Sequence, residues 1–351
     1  MLIRSRIIRL VLESVLGTVI DIDRFSVIYN EYMEYTVLGN SDLRVSRLCL
    51  GCMSFGEPGR GQYQWTLGYE DSERIIRSAY EHGINFFDTS NNYSDGSSEE
   101  ILGQAIKGMK REDIVIATKC YFNEGRLSAQ AVHREITGSL QRLNTDYIDL
   151  LVLHRYDYST PVEETLKALN EEVQAGRIRY YGVSAMYGYQ FAEYCWEAKM
   201  LGYLPFTTLQ NHYSLVYRED ERDLIPVAEQ FGVSRTPFAP FAAGRLARRN
   251  WSADTKRYEL DSQEGTRYDR TEEADKAIAE RVWEMSQKYG CSMVNVCLAW
   301  EYARGAASPI IGITKQKYLD DAVRSLEIPL IEEDIRYLEE LYVPHPIVCN
   351  R

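Results

Sequence analysis

From residue 45 onward the chain alternates between short apolar runs and longer segments with a one-sided apolar stripe. The apolar runs are VSRLCLG (45–51), INFFD (84–88), DIVIATK (113–119), YIDLLVLH (147–154), IRYYGVS (178–184), FTTLQ (206–210), SRTPFAP (234–240) and SPIIGI (308–313). They are short, β-rich and apolar at most positions, which is the pattern of strands buried on both faces. Between them lie DSERIIRSAYEHG, SEEILGQAIKGM, AQAVHREITGSLQRL, VEETLKALNEEVQAG and EEADKAIAERVWEMSQKYG. These repeat their apolar positions with the period of an amphipathic helix. Strands alternating with helices of this length predict βαβ units and a parallel sheet. Eight such strands fit an α/β fold of the (β/α)8 TIM-barrel type, with long βα loops and extra C-terminal helices. A doubly wound sheet is the alternative.

Two predicted loops are long. Residues 52–70 follow the first strand and residues 241–270 the seventh, and long loops in a compact domain are usually functional. No Pro-, Gly- or Ser-rich linker divides residues 33–351, which read as a single barrel domain. Residues 1–32 do not match the rest. Arg4, Arg6 and Arg9 precede an apolar stretch, as in a targeting segment, but Glu13 breaks it, Asp21 and Asp23 follow, and no small-residue cleavage pattern appears. We read 1–32 as an N-terminal extension or a start placed too early, with Met33 as the natural beginning.

Charge narrows the partners. The chain of 351 residues carries 40 Lys and Arg against 52 Asp and Glu, a net charge of −12. That argues against sequence-independent binding of nucleic acid or an anionic membrane, which needs a basic footprint. Seven scattered cysteines do not form a secreted disulfide framework, so a reducing cytoplasm fits best. Cys49 and Cys52 form CLGC inside a predicted strand and read as core, and no metal site is expected. His82 and His133 lie in helical stretches and read as surface residues, His345 lies in the tail, and His212 reads as a structural hydrogen-bonding group.

In a barrel, chemistry sits where strands end and βα loops begin. Strand two ends at Asp88, strand three at Lys119 and strand four at His154, and Tyr93 follows Asp88 in the loop NNYSDG. Burying Lys119 at a barrel mouth is costly unless a carboxylate pairs it, and Asp88 is placed to do so. A tyrosine near its ordinary pKa of ~10 is a poor acid at neutral pH, but a nearby ammonium lowers that value. Together these residues predict a proton-donating device for a carbonyl oxygen, with His154 orienting the substrate oxygen.

The segments INFFDTSNNYSDGSSEEILGQAI, IVIATK, YIDLLVLHR, GVS, LQNHYSL and PIIGITK together resemble the aldo-keto reductase superfamily over residues 35–345. LRVSRLCLGCMSFGEPGRG, HRYDYSTPVEETL, YREDERDLIP and PHPIV extend the likeness to bacterial reductases of the 1-deoxyxylulose-5-phosphate synthase type. The resemblance implies a TIM barrel, NADPH, carbonyl reduction and a catalytic tetrad of Asp88, Tyr93, Lys119 and His154. No G-x-G-x-x-G or Walker-type loop follows any strand, so the cofactor would lie across the barrel mouth. The resemblance implies that Ser184 and Gln210 contact the nicotinamide carboxamide and that Phe238 stacks on its ring. Gly244 and Arg245 would begin the loop over the pyrophosphate. Thr314 and Lys315 would hold the 2′-phosphate at a helix start, which favours NADPH over NADH. Three departures from the family pattern are Ala185 in place of Asn, Phe238 in place of Tyr or Trp, and Ala239 in place of Ser.

For the substrate, Met53, Trp65, Arg155, Tyr156 and Met186 lie in βα loops and are candidates to line a pocket. Arg155 is placed either to meet a phosphate or carboxylate on the substrate or to pair with a surface acid. The expected substrate is a small carbonyl compound, with a sugar or sugar phosphate among the candidates. Two rival functions are a deoxyxylulose-phosphate-forming activity and a cofactor-binding regulatory module with little turnover.

Overall fold

A computed structural model of the chain describes residues 33–61, 63–251, 268, 271–344 and 347. Residues 1–32, His345 and part of the loop 241–270 lie outside the described residues. The chain opens with an antiparallel hairpin of β1 (Tyr35–Val37) and β2 (Arg44–Ser46). Eight strands then form one parallel sheet: β3 (Cys49–Gly51), β4 (Phe86–Asp88), β5 (Val115–Cys120), β6 (Ile148–Leu153), β7 (Ile178–Ser184), β8 (Thr208–Gln210), β9 (Ser234–Arg235) and β10 (Ile310–Gly312). They pair in sequence order, with β10 beside β3.

The seam between β9 and β10 closes through two backbone bonds. The Ala307 amide donates to the Arg235 carbonyl and the Ile310 amide to the Pro237 carbonyl, each at 2.8 Å. The segment predicted as a strand over 234–240 is regular only at its start, because Pro237 has no N–H for the ladder. The result is the expected (β/α)8 barrel.

The helices outside the barrel are α1 (Tyr69–Glu81), α2 (Ser97–Ala105), α3 (Ala129–Leu143), α4 (Val162–Gln174), α5 (Gly188–Leu201), α6 (Leu224–Gln230), α7 (Glu272–Tyr289), α8 (Met293–Ala303), α9 (Gln316–Val323) and α10 (Glu332–Glu339). Their apolar stripes and the outward strand residues, such as Leu50, Phe87, Ile116 and Leu151, share the main core. Helices α7, α8 and α10 enclose a second core with Tyr213 and Trp300.

The inward strand residues make a third cluster of Cys49, Phe86, Val115, Ala117, Leu150 and Val152, and Leu38, Leu43 and Val45 of the hairpin region pack on it. The hairpin therefore plugs the end of the barrel where the strands begin. Side chains alternate faces along a strand. Phe86 facing inward carries Asp88 inward, Ala117 carries Lys119, and Leu150 and Val152 carry His154. Space inside is short: a Cβ on Gly182 of β7 would lie 2.2 Å from Thr208 Oγ1 and 2.7 Å from the Thr208 carbonyl oxygen.

The sequence expectation missed the first hairpin, although GNSD between two β-rich runs is a turn signal. It joined β2 and β3 into one strand over 45–51 because both are apolar. Cys49, Cys52, Cys120, Cys195 and Cys297 are buried free thiols, which agrees with the reading of CLGC as core. Among the described residues no helix is long and apolar enough to cross a membrane.

Candidate active site

Asp88 ends β4, Lys119 lies near the end of β5, His154 directly follows β6, and Tyr93 sits in a turn after β4. The strand ends bring all four together. Lys119 is fully buried, and Asp88, Tyr93 and His154 are each less than one-tenth exposed. The Lys119 ammonium donates to Asp88 Oδ1 at 2.6 Å, to the Thr89 carbonyl at 2.7 Å and to the Tyr93 hydroxyl oxygen at 3.2 Å. All three ammonium hydrogens are used, which offsets the desolvation of a buried cation. Asp88 Oδ2 accepts from the Gln210 amide at 2.7 Å.

This geometry corrects one expectation. The ammonium does favour the phenolate, but the Tyr93 pKa is raised, because burial opposes phenolate formation and the Asp88 charge adds to it. The Lys119 ammonium still pulls the value down, but burial outweighs it. Tyr93 is therefore a protonated donor at neutral pH. Its oxygen accepts from Lys119, so its own hydrogen is free to point elsewhere. Lys119 holds its proton more tightly than an ordinary lysine, since Asp88 and Tyr93 outweigh its burial. Burial, then the charges of Lys119 and Arg155, hold the His154 pKa well below the usual histidine value, so the imidazole is neutral.

Rings wall the tetrad. His154 meets Tyr93 edge-on at 5.9 Å and Phe122 at 4.9 Å. Tyr63 lies 6.3 Å from Tyr93 and 5.7 Å from Trp65, all centroid to centroid. Arg60 ties this loop down, donating to both Glu100 oxygens (2.9 and 3.1 Å) and to the Asp95 carbonyl (2.8 Å). Gly56 lies against the same turn, where a Cβ would come within 2.3 Å of Ser94 Oγ. Tyr63 and Phe122 were not among the sequence candidates; only their position after strand ends hinted at them.

The remaining substrate candidates divide. Trp65 is buried near the tetrad, and Met53 is half-buried just after β3. Arg155 donates to the His154 carbonyl at 2.8 Å and lies over Phe122 at 5.6 Å, with its charge felt by both Tyr93 and His154. Tyr156 packs on Tyr158 and Tyr194 and donates to Glu193 of α5, which places it in the outer helical layer and not beside the tetrad. Met186 is fully buried in the main core. His133 bridges Glu171 and Glu172 between helices. His82 is only partly exposed and lies 3.3 Å from Asp320.

The candidate cofactor residues form an arc on the same rim. Ser184 and Gln210 are register partners at the ends of β7 and β8. His212 and Phe238 pair next to them, with rings 5.3 Å apart and 10° from parallel. Tyr217 covers the His212 ring at 4.2 Å, and the Tyr268 hydroxyl is 2.7 Å from His212 Nε2, so His212 is a structural residue as expected. Phe238 is half-buried, and His212 covers one face of its ring.

The backbone of this rim is strained. Ser94, Asp95, Ala185, Ala239, Ala242 and Ala243 all hold left-handed φ angles. Each costs about 1–3 kcal/mol and persists only where surrounding structure enforces it, which is common at functional sites. Gly244 (φ 95°) takes such a conformation freely. The Arg245 side chain is held by the Tyr268 carbonyl at 3.2 Å and lies 4.9 Å from the Trp251 ring. Thr314 and Lys315 are exposed and immediately precede α9. A flat half-exposed ring, an anion-favouring helix start with an adjacent ammonium, and a hydroxyl and an amide at neighbouring strand ends fit a nicotinamide dinucleotide.

The aldo/keto reductase family model matches residues 47–343. The chain belongs to the aldo/keto reductase family. The versiconal hemiacetal acetate reductase of Aspergillus parasiticus is 40% identical over 342 residues, covering 90% of this chain and 98% of its own. A Schizosaccharomyces pombe protein with the provisional name aryl-alcohol dehydrogenase is 40% identical over 348 residues, covering 89% and 97%. Among solved structures, a thermostable aldo-keto reductase bound to the inhibitor epalrestat superposes with a TM-score of 0.71 at 27% identity, covering 88% of this chain and all of its own. The Aspergillus and Schizosaccharomyces relatives are fungal, which corrects the finer likeness to bacterial enzymes of the deoxyxylulose-phosphate type. Membership makes this chain an oxidoreductase of small carbonyl compounds.

Proposed function

We propose that this aldo/keto reductase uses NADPH to reduce an aldehyde or ketone to an alcohol, with Tyr93 as general acid, and that its substrates are aromatic rather than sugar phosphates. The observation that carries the chemistry is the Lys119 ammonium bridging Asp88 at 2.6 Å and the Tyr93 oxygen at 3.2 Å. When bound, the reduced nicotinamide would supply hydride to the carbonyl carbon. Ser184 and Gln210 would hold its carboxamide, Phe238 would stack on its ring, and the loop starting at Gly244 and Arg245 would lie over the pyrophosphate. Thr314 and Lys315 would meet the 2′-phosphate.

The protein's own part is to hold and deliver a proton. The Tyr93 hydroxyl donates to the carbonyl oxygen and passes its proton there as negative charge develops. Lys119 then stabilises the phenolate through the hydrogen bond it already makes. Asp88 keeps the ammonium in place, and Gln210 keeps Asp88 in place. Neutral His154 forms the side of the pocket.

Support for an aromatic substrate comes from Tyr63, Trp65 and Phe122, whose rings lie around the tetrad and favour a flat partner. Two relatives are named for a hemiacetal acetate and for aryl alcohols. The test is NADPH oxidation, followed by nicotinamide absorbance, against aromatic aldehydes, aliphatic aldehydes and sugar phosphates. Tyr93→Phe is expected to lose about 10²–10⁴-fold in rate while NADPH still quenches protein fluorescence. Turnover that survives the substitution would remove Tyr93 from the acid role, and a preference for sugar phosphates would overturn the substrate class.

A further inference from the structure

Helix α5 is apolar on two faces. Its inner face buries Phe191, Tyr194, Cys195 and Ala198 in the main core. Its outer face carries Tyr189, Trp196 and Met200, which are 65%, 48% and 79% exposed. At 3.6 residues per turn these three fall within about 40° of one another around the helix, so they form one stripe. Exposed Leu204 follows the helix, and exposed Tyr158 touches Gln190 near its start. Among the described residues no other helix exposes more than one large apolar side chain. A single exposed hydrophobe is ordinary, but a continuous stripe marks a contact surface. The stripe is also held rigid. Trp196 packs edge-on against Phe231 at 5.2 Å, and Tyr189 stacks on Tyr187 at 6.0 Å, centroid to centroid. The Gln190 amide donates to the hydroxyls of Tyr158 at 2.9 Å and Tyr189 at 3.2 Å. Aromatic anchors fixed in advance lose little freedom on binding.

We propose that this face is the interface of a two-fold symmetric homodimer, in which α5 of one subunit packs antiparallel on α5 of the other with the axis at Trp196. The charges choose a second copy of this chain as the occupant. Glu193 and Lys199 are both exposed, three residues before and three after Trp196, and they flank the stripe on opposite sides. A two-fold axis through Trp196 exchanges those positions. Glu193 then faces Lys199 of the partner subunit, and the symmetric contact repeats it. Met200 falls opposite Ala192 of the partner subunit, a small residue that leaves it room. The area is sufficient. From their exposures, Tyr189, Trp196, Met200 and Leu204 offer roughly 400–500 Å². With Tyr158, Glu193 and Lys199 the face approaches the ~800 Å² that each partner contributes to a stable pair. The dimer is independent of the substrate, since α5 lies in the outer helical layer, away from the tetrad.

Sedimentation velocity of the full chain across micromolar concentrations tests it. The wild type is expected to be a dimer. Lys199→Glu and Glu193→Lys each set like charges against one another in both symmetric contacts, and each is expected to weaken pairing at least ~100-fold. Combining the two substitutions restores opposite charges across the axis and is expected to return pairing to within about tenfold of the wild type. Trp196→Ala removes the central ring without touching charge and is expected to weaken pairing ~10–100-fold. Far-UV circular dichroism of each variant separates lost pairing from lost folding, and recovery in the double variant cannot come from misfolding. A monomeric wild type leaves the stripe to a different partner and overturns the proposal. So does a dimer that both single reversals and Trp196→Ala leave intact, since it uses another face, and so does a double variant that pairs no better than the single ones.

Discussion

Asp88 and Lys119 form an ion pair almost wholly removed from water, and a double-mutant cycle on it exposes what holds the tetrad. Asp88→Asn keeps an oxygen that can accept from Lys119 but removes the countercharge, leaving a buried ammonium held only by neutral acceptors. Lys119→Met leaves the Asp88 carboxylate with only the Gln210 amide. Removing one member of a buried pair costs about 3–5 kcal/mol, because the remaining charge stays desolvated. Replacing both removes the two charges together and is often nearly neutral. The expected cycle is therefore strongly non-additive: each single variant loses about 3–5 kcal/mol, and the double variant loses at least ~2 kcal/mol less than their sum. Urea unfolding followed by tryptophan fluorescence measures this, provided the denaturant slope is the same in all four proteins. Single effects that add to within about 0.5 kcal/mol would refute the reasoning, since they would mean the two charges do not depend on each other. The pH dependence has a definite sign. Lys119 holds its proton more tightly when folded, so its contribution is complete below the unfolded lysine value near ~10 and fades only as pH rises through the higher folded value.

The raised Tyr93 pKa separates the two directions of catalysis. Carbonyl reduction, which needs the protonated phenol, should stay flat from pH ~7 to beyond ~9, whereas alcohol oxidation, which needs the phenolate, should rise with pH over the same span. Reduction that declines across that range would contradict the burial argument. If Lys315 holds the 2′-phosphate as proposed, Lys315→Ala should weaken NADPH more than NADH in fluorescence titrations, since it is exposed at a helix start; equal losses would remove Lys315 from that role. Glu301 is fully buried, neither of its carboxylate oxygens has a hydrogen-bond partner among the described residues, and burial raises its pKa well above the usual value. Such an acid stays protonated when folded but ionises when unfolded, so the wild type loses stability as pH rises above ~4. Glu301→Gln should gain on the wild type between pH ~4 and ~7 in thermal melts, and a constant difference would show that Glu301 is ionised in the fold.

Much of the site was legible because a strand imposes strict alternation. Once Phe86, Ala117 and Val152 are placed inward, Asp88, Lys119 and His154 must follow at the strand ends. The order of strands and helices likewise carried the barrel, since parallel strands need helical crossovers. Other features depend on partners far away in sequence. Pro237 shortens β9, yet the seam closes because Arg235 and Pro237 still offer carbonyls to Ala307 and Ile310. Tyr63 and Phe122 reach the tetrad only because their loops fold back over the rim. Tyr156 and Met186 follow strand ends in the same way, but one turns to α5 and the other sinks into the core.

The sequence by itself determined which residues can do the chemistry: an acid, an ammonium, a phenol and an imidazole at successive strand exits. Only the tertiary structure decided their protonation. A pKa depends on desolvation and on charges within a few ångströms, and those are set by the whole surroundings of a group. Lys119 alone argued for an acidic Tyr93; burial, with the Asp88 charge adding to it, reversed the sign. His154, too, is neutral because the fold buries it and sets the charges of Lys119 and Arg155 nearby.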